Sequence, residues 1–181
     1  PLVWINTSNQ LYYFTTNANR IVGTTTIIAN TWYHVALVRN NGTTTLYLNG
    51  AVEGTPWADT VNYVSTTNFR IAQRYTLTAY NYGGYLSNFR VVKGTAVYTS
   101  SFTPATSPLT SIANTNLLTC RSATFIDNSA NNYTITSNGD SKPTTFNPFT
   151  VSYSTAQQYS TSVLGGSMYF DGSGDYLQSP D

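Results

Sequence analysis

The residues able to do chemistry in this chain are few, and they suit recognition better than catalysis. After Ala51 the regular alternation loosens into GTPWADT, which predicts a loop presenting Trp57 and Asp59. A second polar and aromatic run, RYTLTAYNYGGY, carries Arg74, Tyr75, Tyr80, Asn81 and Tyr82. Sugars dock by laying their C–H faces on aromatic rings while Asn, Asp and Arg side chains hydrogen-bond the hydroxyls. Trp57, Asp59, Arg74, Tyr75, Tyr80 and Tyr82 are therefore the candidate ligand-binding residues, with Trp57 foremost because it sits in a turn region. A competing expectation is that tyrosines, of which there are 15, pair across strands without any ligand.

Nucleophilic and zinc chemistry find little support. His34 is the single histidine, on the same strand face as Trp32, Ala36 and Val38, with no Ser or Cys arranged around it. It reads as a packed, hydrogen-bonded core residue. One His and one Cys do not make a zinc site. Cys120 alternates with Leu118 in LLTC and is expected to behave as a small buried hydrophobe; alone, it excludes an intrachain disulfide.

The elements that must position these residues are strands. In Trp32–Arg39, Tyr33, Val35 and Leu37 alternate with Trp32, His34, Ala36 and Val38, so both faces are largely apolar. Asn40, Asn41 and Gly42 then supply a tight reversal, Thr44, Leu46 and Leu48 alternate with Thr45, Tyr47 and Asn49 on the return, and Asn49-Gly50 turns the chain again. The stretch Thr31–Gly50 is thus a predicted hairpin around which the rest is arranged. Short strands are also predicted at Leu2–Ile5, Leu11–Phe14, Asn68–Ala72, Tyr85–Lys93, Leu117–Cys120, Phe125–Asp127, Tyr133–Thr136 and Ser167–Leu177. Pro104 and Pro108, in YTSSFTPATSP, mark a connector.

Composition agrees. Charged residues are only 8% of the 181, but hydrophobic residues reach 40% and aromatics 14%, enough for a core and against disorder. Thr, Tyr, Val, Ile and Phe favour pleated sheet, and no amphipathic helical stretch is evident, so the chain reads as all-β. A formal net charge of +1, with Lys and Arg spread singly, gives no footprint for nucleic acid or an anionic membrane. No transmembrane run or signal segment is present, and the start at Pro1 predicts a processed chain or an excerpt.

WYHVALVRNNGTTTLYLNG, followed by FRIAQR and YGGYLSNFRV, resembles the latter half of a laminin-G-like, concanavalin-A-like sandwich. The block from Leu117, with Asp127-Asn128-Ser129, a T-I-T strand and FDGSGDYL, resembles the opening half of the same fold. The resemblance therefore implies a two-sheet antiparallel jelly-roll sandwich in an offset or permuted frame. Residues 1–98 form a C-terminal half, 99–111 a Pro/Ser/Thr connector, and 112–181 an N-terminal half of the same or next repeat. The wording resembles tandem repeats in large phage and bacterial surface proteins. The chain is then either a window on such an array or an offset unit completed by strand exchange with another copy.

That resemblance carries chemical implications. Related domains hold Ca²⁺ at the sandwich rim through Asp side chains and loop carbonyls, which makes Asp171 and Asp175 the metal candidates, with Asp127 and Asp59 behind them; the alternative is a simple turn. Enzymatic relatives hydrolyse glycosides with paired carboxylates. Here Glu53 is the one glutamate, and the family's E-x-D-x-x-E strand has no match. The expected function is a non-catalytic, lectin-like adhesion module that binds a glycan or cell-surface receptor. It is expected in a repetitive extracellular, cell-surface or virion fibre protein, with other copies of itself as partners and without membrane insertion. The alternative is a structural fibre-forming or capsid-decorating module making protein–protein contacts.

Overall fold

Three two-residue turns shape the first part of the chain. Thr16-Asn17, Asn41-Gly42 and Asn49-Gly50 all have positive φ at both positions, the type I′ geometry whose twist matches that of paired strands. The computed structural model describes residues 1–64, 68–74, 80–149 and 166–180. Strands β1 (Leu2–Ile5), β2 (Gln10–Thr15) and β3 (Ala18–Thr26) form one antiparallel sheet. Strands β4 (Val35–Asn40), β5 (Thr43–Leu48) and β6 (Ala51–Ala58) form a second. Their facing sides share a core of Leu11, Tyr13, Ile21, Leu46 and Leu48, with Ile27, Tyr33 and Trp57 packed against it. The Tyr13 phenol is pushed well above its usual pKa, mainly by burial and further by the Tyr63 hydroxyl, which accepts its hydrogen bond at 3.2 Å.

The stretch predicted as a loop after Ala51 is instead strand β6. Gly54 and Pro56 break the local alternation, but the ladder absorbs them in a bulge between the Thr44↔Trp57 and Leu46↔Glu53 pairs. Glu53 ties the two sheets. Its Oε1 accepts the Thr25 N–H at 2.7 Å and its Oε2 accepts the Thr25 hydroxyl at 2.9 Å. A methyl at Gly23 would lie 2.7 Å from that carboxylate, so only glycine lets Glu53 approach. Residues 94–104 complete this first compact unit with 1–63. They run as a strap whose Phe102 N–H donates to the Gly50 carbonyl at 2.9 Å.

The second unit comprises 64–93 and 105–181. It contains β7 (Phe69–Ile71), β8 (Gly83–Leu86), β9 (Phe89–Val92), β10 (Thr115–Thr119), β11 (Thr136–Asn138), β12 (Lys142–Thr144), β13 (Ser167–Asp171) and β14 (Tyr176–Ser179). The predicted strand Tyr85–Lys93 is two strands. Asn88 takes φ 57°, and the chain changes sheets there, with β8 pairing with β13 and β9 with β10. The predicted Phe125–Asp127 strand is an irregular stretch, and Tyr133–Thr136 reaches the ladder only at Thr136.

The closing strands occupy the middle of their sheets. β13 lies between β12 and β8, and β14 between β11 and β7. The Leu177↔Ile71 and Tyr169↔Tyr85 pairs thus complete both sheets within the chain. Met168 and Phe170 are wholly buried and Leu177 nearly so, in a core with Ile71, Leu117 and Cys120. Each such side chain contributes about 1.5–3 kcal/mol of burial. Cys120 is indeed a buried free thiol; burial pushes its pKa up to about 12. Among the described residues there is no helix. The chain is all-β, built of several antiparallel sheets.

Candidate functional site

Trp57 and Asp59, the first pair of candidate residues, sit at the end of β6 in the first unit. Trp57 is half-buried. Its ring packs on Tyr13 at 6.3 Å, and the Arg20 guanidinium lies 5.0 Å from its centroid. Asp59 has no exposed surface. The Thr44 hydroxyl donates to it at 2.7 Å, the Val61 N–H at 3.2 Å and the Tyr63 hydroxyl at 3.2 Å, while Arg39 approaches to 4.0 Å. Buried carboxylates persist when so compensated, and this one fixes the turn end of the β4–β5 hairpin, where the Asp59 N–H also donates to the Gly42 carbonyl at 2.7 Å.

Arg74, Tyr80 and Tyr82 belong to the second unit; Tyr75 lies outside the described residues. A narrow antiparallel link positions them. Gln73 bridges Asn81, the Arg74 N–H donates to the Tyr80 carbonyl at 3.2 Å, and the Tyr82 N–H donates to Ala72 at 2.7 Å. The structure brings Arg74 and Tyr80 together, the guanidinium 5.8 Å from a ring that is 49% exposed. Tyr82 turns inward against the core, and burial raises its phenol pKa.

The outer face of the β8–β13 ladder carries an aromatic platform that sequence reasoning missed. Tyr85 and Tyr169 are cross-strand partners with ring centroids 5.1 Å apart, and Phe146 meets Tyr85 edge-on at 4.8 Å. All three rings are well exposed, and Lys142 is the partner of Tyr169 on the other side. Strand alternation marks Tyr85 and Tyr169 as sharing the face opposite their buried neighbours, but only the pairing register makes them adjacent.

Asp171 and Asp175 also come together, with a third carboxylate, Asp140, all within 4.8 Å of one another. Carboxylate oxygens are the donors Ca²⁺ takes, so the set fits that ion in kind. Asp175, however, is wholly buried and already committed. Its Oδ1 accepts the Asp140 N–H at 2.7 Å and its Oδ2 the Asp171 N–H at 3.0 Å, joining the β11–β12 and β13–β14 turns. Asp127 locks a different turn. It accepts the N–H groups of Leu118 at 3.0 Å, Ser129 at 2.8 Å and Tyr133 at 3.0 Å, and the Ser129 hydroxyl at 2.7 Å. Burial pushes its pKa up, but these four donors outweigh that and hold it below the usual value.

Against this geometry, residues 2–98, more than half of the chain, match the laminin-G-type model of the concanavalin A-like lectin/glucanases superfamily. The chain belongs to that superfamily. No curated protein and no solved structure matches it. Membership in a concanavalin A-like superfamily supports a carbohydrate-binding or structural module. The superfamily name covers glucanases as well as lectins, so the placement of the acids bears on catalysis. Glu53 is 5% exposed and held by Thr25, and Asp175 is held by two backbone amides. No helix among the described residues is long and apolar enough to cross a membrane.

Proposed function

We propose that this chain is a non-catalytic carbohydrate-recognition module serving adhesion within a repetitive extracellular, cell-surface or virion fibre protein. The observation that carries the reading is the exposed platform of Tyr85, Tyr169 and Phe146 in a concanavalin A-like chain. Contiguous rings present the apolar surface that a sugar's C–H face stacks on, and for Tyr85 and Tyr169 the entropic cost is small because their paired strands already fix them. Arg74 and Tyr80 offer a second polar and aromatic pair in the same unit. The non-catalytic part of the reading is supported by the acids being engaged elsewhere: Glu53 and Asp175 hold backbone amides, Asp171 accepts the Ser173 N–H at 2.6 Å, and Asp140 lies 3.9 Å from the Lys142 ammonium.

A glycan array probed with the wild-type chain and with Tyr169→Ala tests this. Binding by the wild type that falls about tenfold or more in the variant supports it. An array on which the wild-type chain binds no glycan ends the lectin reading.

One observation favours a structural role beside it. Val3, Ile5, Val35 and Leu37 face the core side from the edge strands β1 and β4, yet they are 38%, 39%, 42% and 37% exposed. Such edges accept a strand from another copy. Sedimentation that gives a monomer at all concentrations would count against strand exchange between copies.

A further inference from the structure

The outer face of the β4–β5 hairpin holds a feature that the reading above does not use. Three successive cross-strand positions there, Asn40↔Thr43, Val38↔Thr45 and Ala36↔Tyr47, point away from the core. With Tyr98 and Thr99 of the strap, Val38, Asn40, Thr43, Thr45 and Tyr47 line an open groove of about 230 Å³. The strap is held firmly. The Tyr98 ring stacks on Phe102 at 3.6 Å with 6° between planes, and Phe102 packs edge-on against Tyr47 at 5.5 Å and His34 at 5.3 Å.

Two properties of the lining define its ligand. Asn40, Thr43, Thr45 and Thr99 supply an amide and three hydroxyls, each able to donate and accept. Among the described residues none hydrogen-bonds to these four side chains, so they are free for a ligand. The lining also contains no Asp, Glu, Lys, Arg or His. Arg39 and Asp59, the nearest charges in sequence and pairing, belong to the opposite face, where Arg39 pairs with Thr44. A carboxylate or sulfate placed in the groove would therefore lose hydration without gaining a counter-charge.

We infer that this groove is a saccharide-binding site selective for uncharged sugars, taking about one ring, with hydroxyls hydrogen-bonded by Asn40, Thr43, Thr45 and Thr99 and the ring set beside Tyr98. The inference rests on the carbohydrate-recognition reading and adds a second site to it, in the other unit. Its size matches a single hexose unit better than an extended chain, and its rigidity follows from the type I′ turn and the stacked strap.

The test uses the full chain on an array of neutral, sialylated and sulfated oligosaccharides, with calorimetry on the strongest neutral hit. Wild type is compared with Asn40→Ala, Thr45→Val and Tyr169→Ala, each checked for an unchanged thermal midpoint. Thr45→Val is isosteric, so loss of binding there cannot come from lost packing volume. Neutral binding weakened about tenfold by Asn40→Ala and severalfold by Thr45→Val supports the groove. Binding that is confined to acidic glycans overturns the selectivity. Binding abolished by Tyr169→Ala but untouched by both groove substitutions overturns the groove and leaves the broader function standing. An array on which the wild type binds nothing overturns both.

Discussion

Gly50 is the position where one methyl group should do the most damage. It lies in the turn between β5 and β6 at φ +82°, and an added Cβ would meet the Phe102 carbonyl oxygen at 1.8 Å and its carbon at 2.9 Å. Both are backbone atoms, so the strap as a whole must move. Three losses follow for Gly50→Ala. An alanine in left-handed geometry costs about 1–2 kcal/mol. The Phe102 N–H to Gly50 carbonyl bond, now 2.9 Å, contributes about 0.5–1.5 kcal/mol. The edge contact between Phe102 and Tyr47, at 5.5 Å, contributes about 0.5–1.5 kcal/mol. Together these give about 3 kcal/mol, a large part of the stability of a small domain. All three tryptophans, Trp4, Trp32 and Trp57, lie in the first unit, so urea unfolding followed by tryptophan fluorescence reads that unit alone. Gly50→Asn separates the causes, because Asn tolerates the left-handed backbone but carries the same Cβ. Both variants should unfold earlier, and Asn should recover at most the conformational part. An alanine variant within about 1 kcal/mol of wild type, the scale of one hydrogen bond, would refute the anchoring of the strap through Gly50.

Asp127→Asn should destabilise the second unit by about 1.5–3 kcal/mol at neutral pH, because an amide nitrogen must then face a backbone donor. The folded-state pKa of Asp127 is lowered, so its contribution is present above the unfolded value, near 3.9, and is lost as pH falls through the folded value. Wild type should therefore lose stability in acid more steeply than the variant, as read by denaturation at stepped pH. Cys120 supplies a probe for the same unit: buried and with its pKa raised to about 12, it should resist Ellman's reagent at pH 8 until the unit opens. Rapid labelling of the native chain would contradict that burial. Asp175→Asn should also destabilise, by about 1–3 kcal/mol, and by equal amounts in EDTA and in millimolar calcium. A loss seen only with calcium present would make the Asp140–Asp171–Asp175 cluster a cation site rather than a turn lock.

Much of the local structure was legible because it depends on properties that travel with the chain. Asn and Gly at the two reversals of the central hairpin tolerate positive φ, so both turns could be placed from residue type. Alternation marked β1, β2, β5 and the closing strands, and the combination of motifs marked the superfamily. Burial of Cys120 followed from its alternation with Leu118, although the strand itself ends at Thr119. What was not legible depends on partners distant in sequence. A ladder with a bulge accommodates Gly54 and Pro56, so β6 is a strand and Trp57 packs on Tyr13 instead of standing on a loop. Asp59 reads as a polar loop residue, yet three donors and the Arg39 guanidinium allow it to be wholly buried. Asp140 joins Asp171 and Asp175 because two turns meet in space, and Tyr85 meets Tyr169 because β13 enters its sheet beside β8. Side-chain type and spacing set which face a residue points to. Which residues share that face is decided by strand pairing, and pairing is settled by burial summed over the whole core.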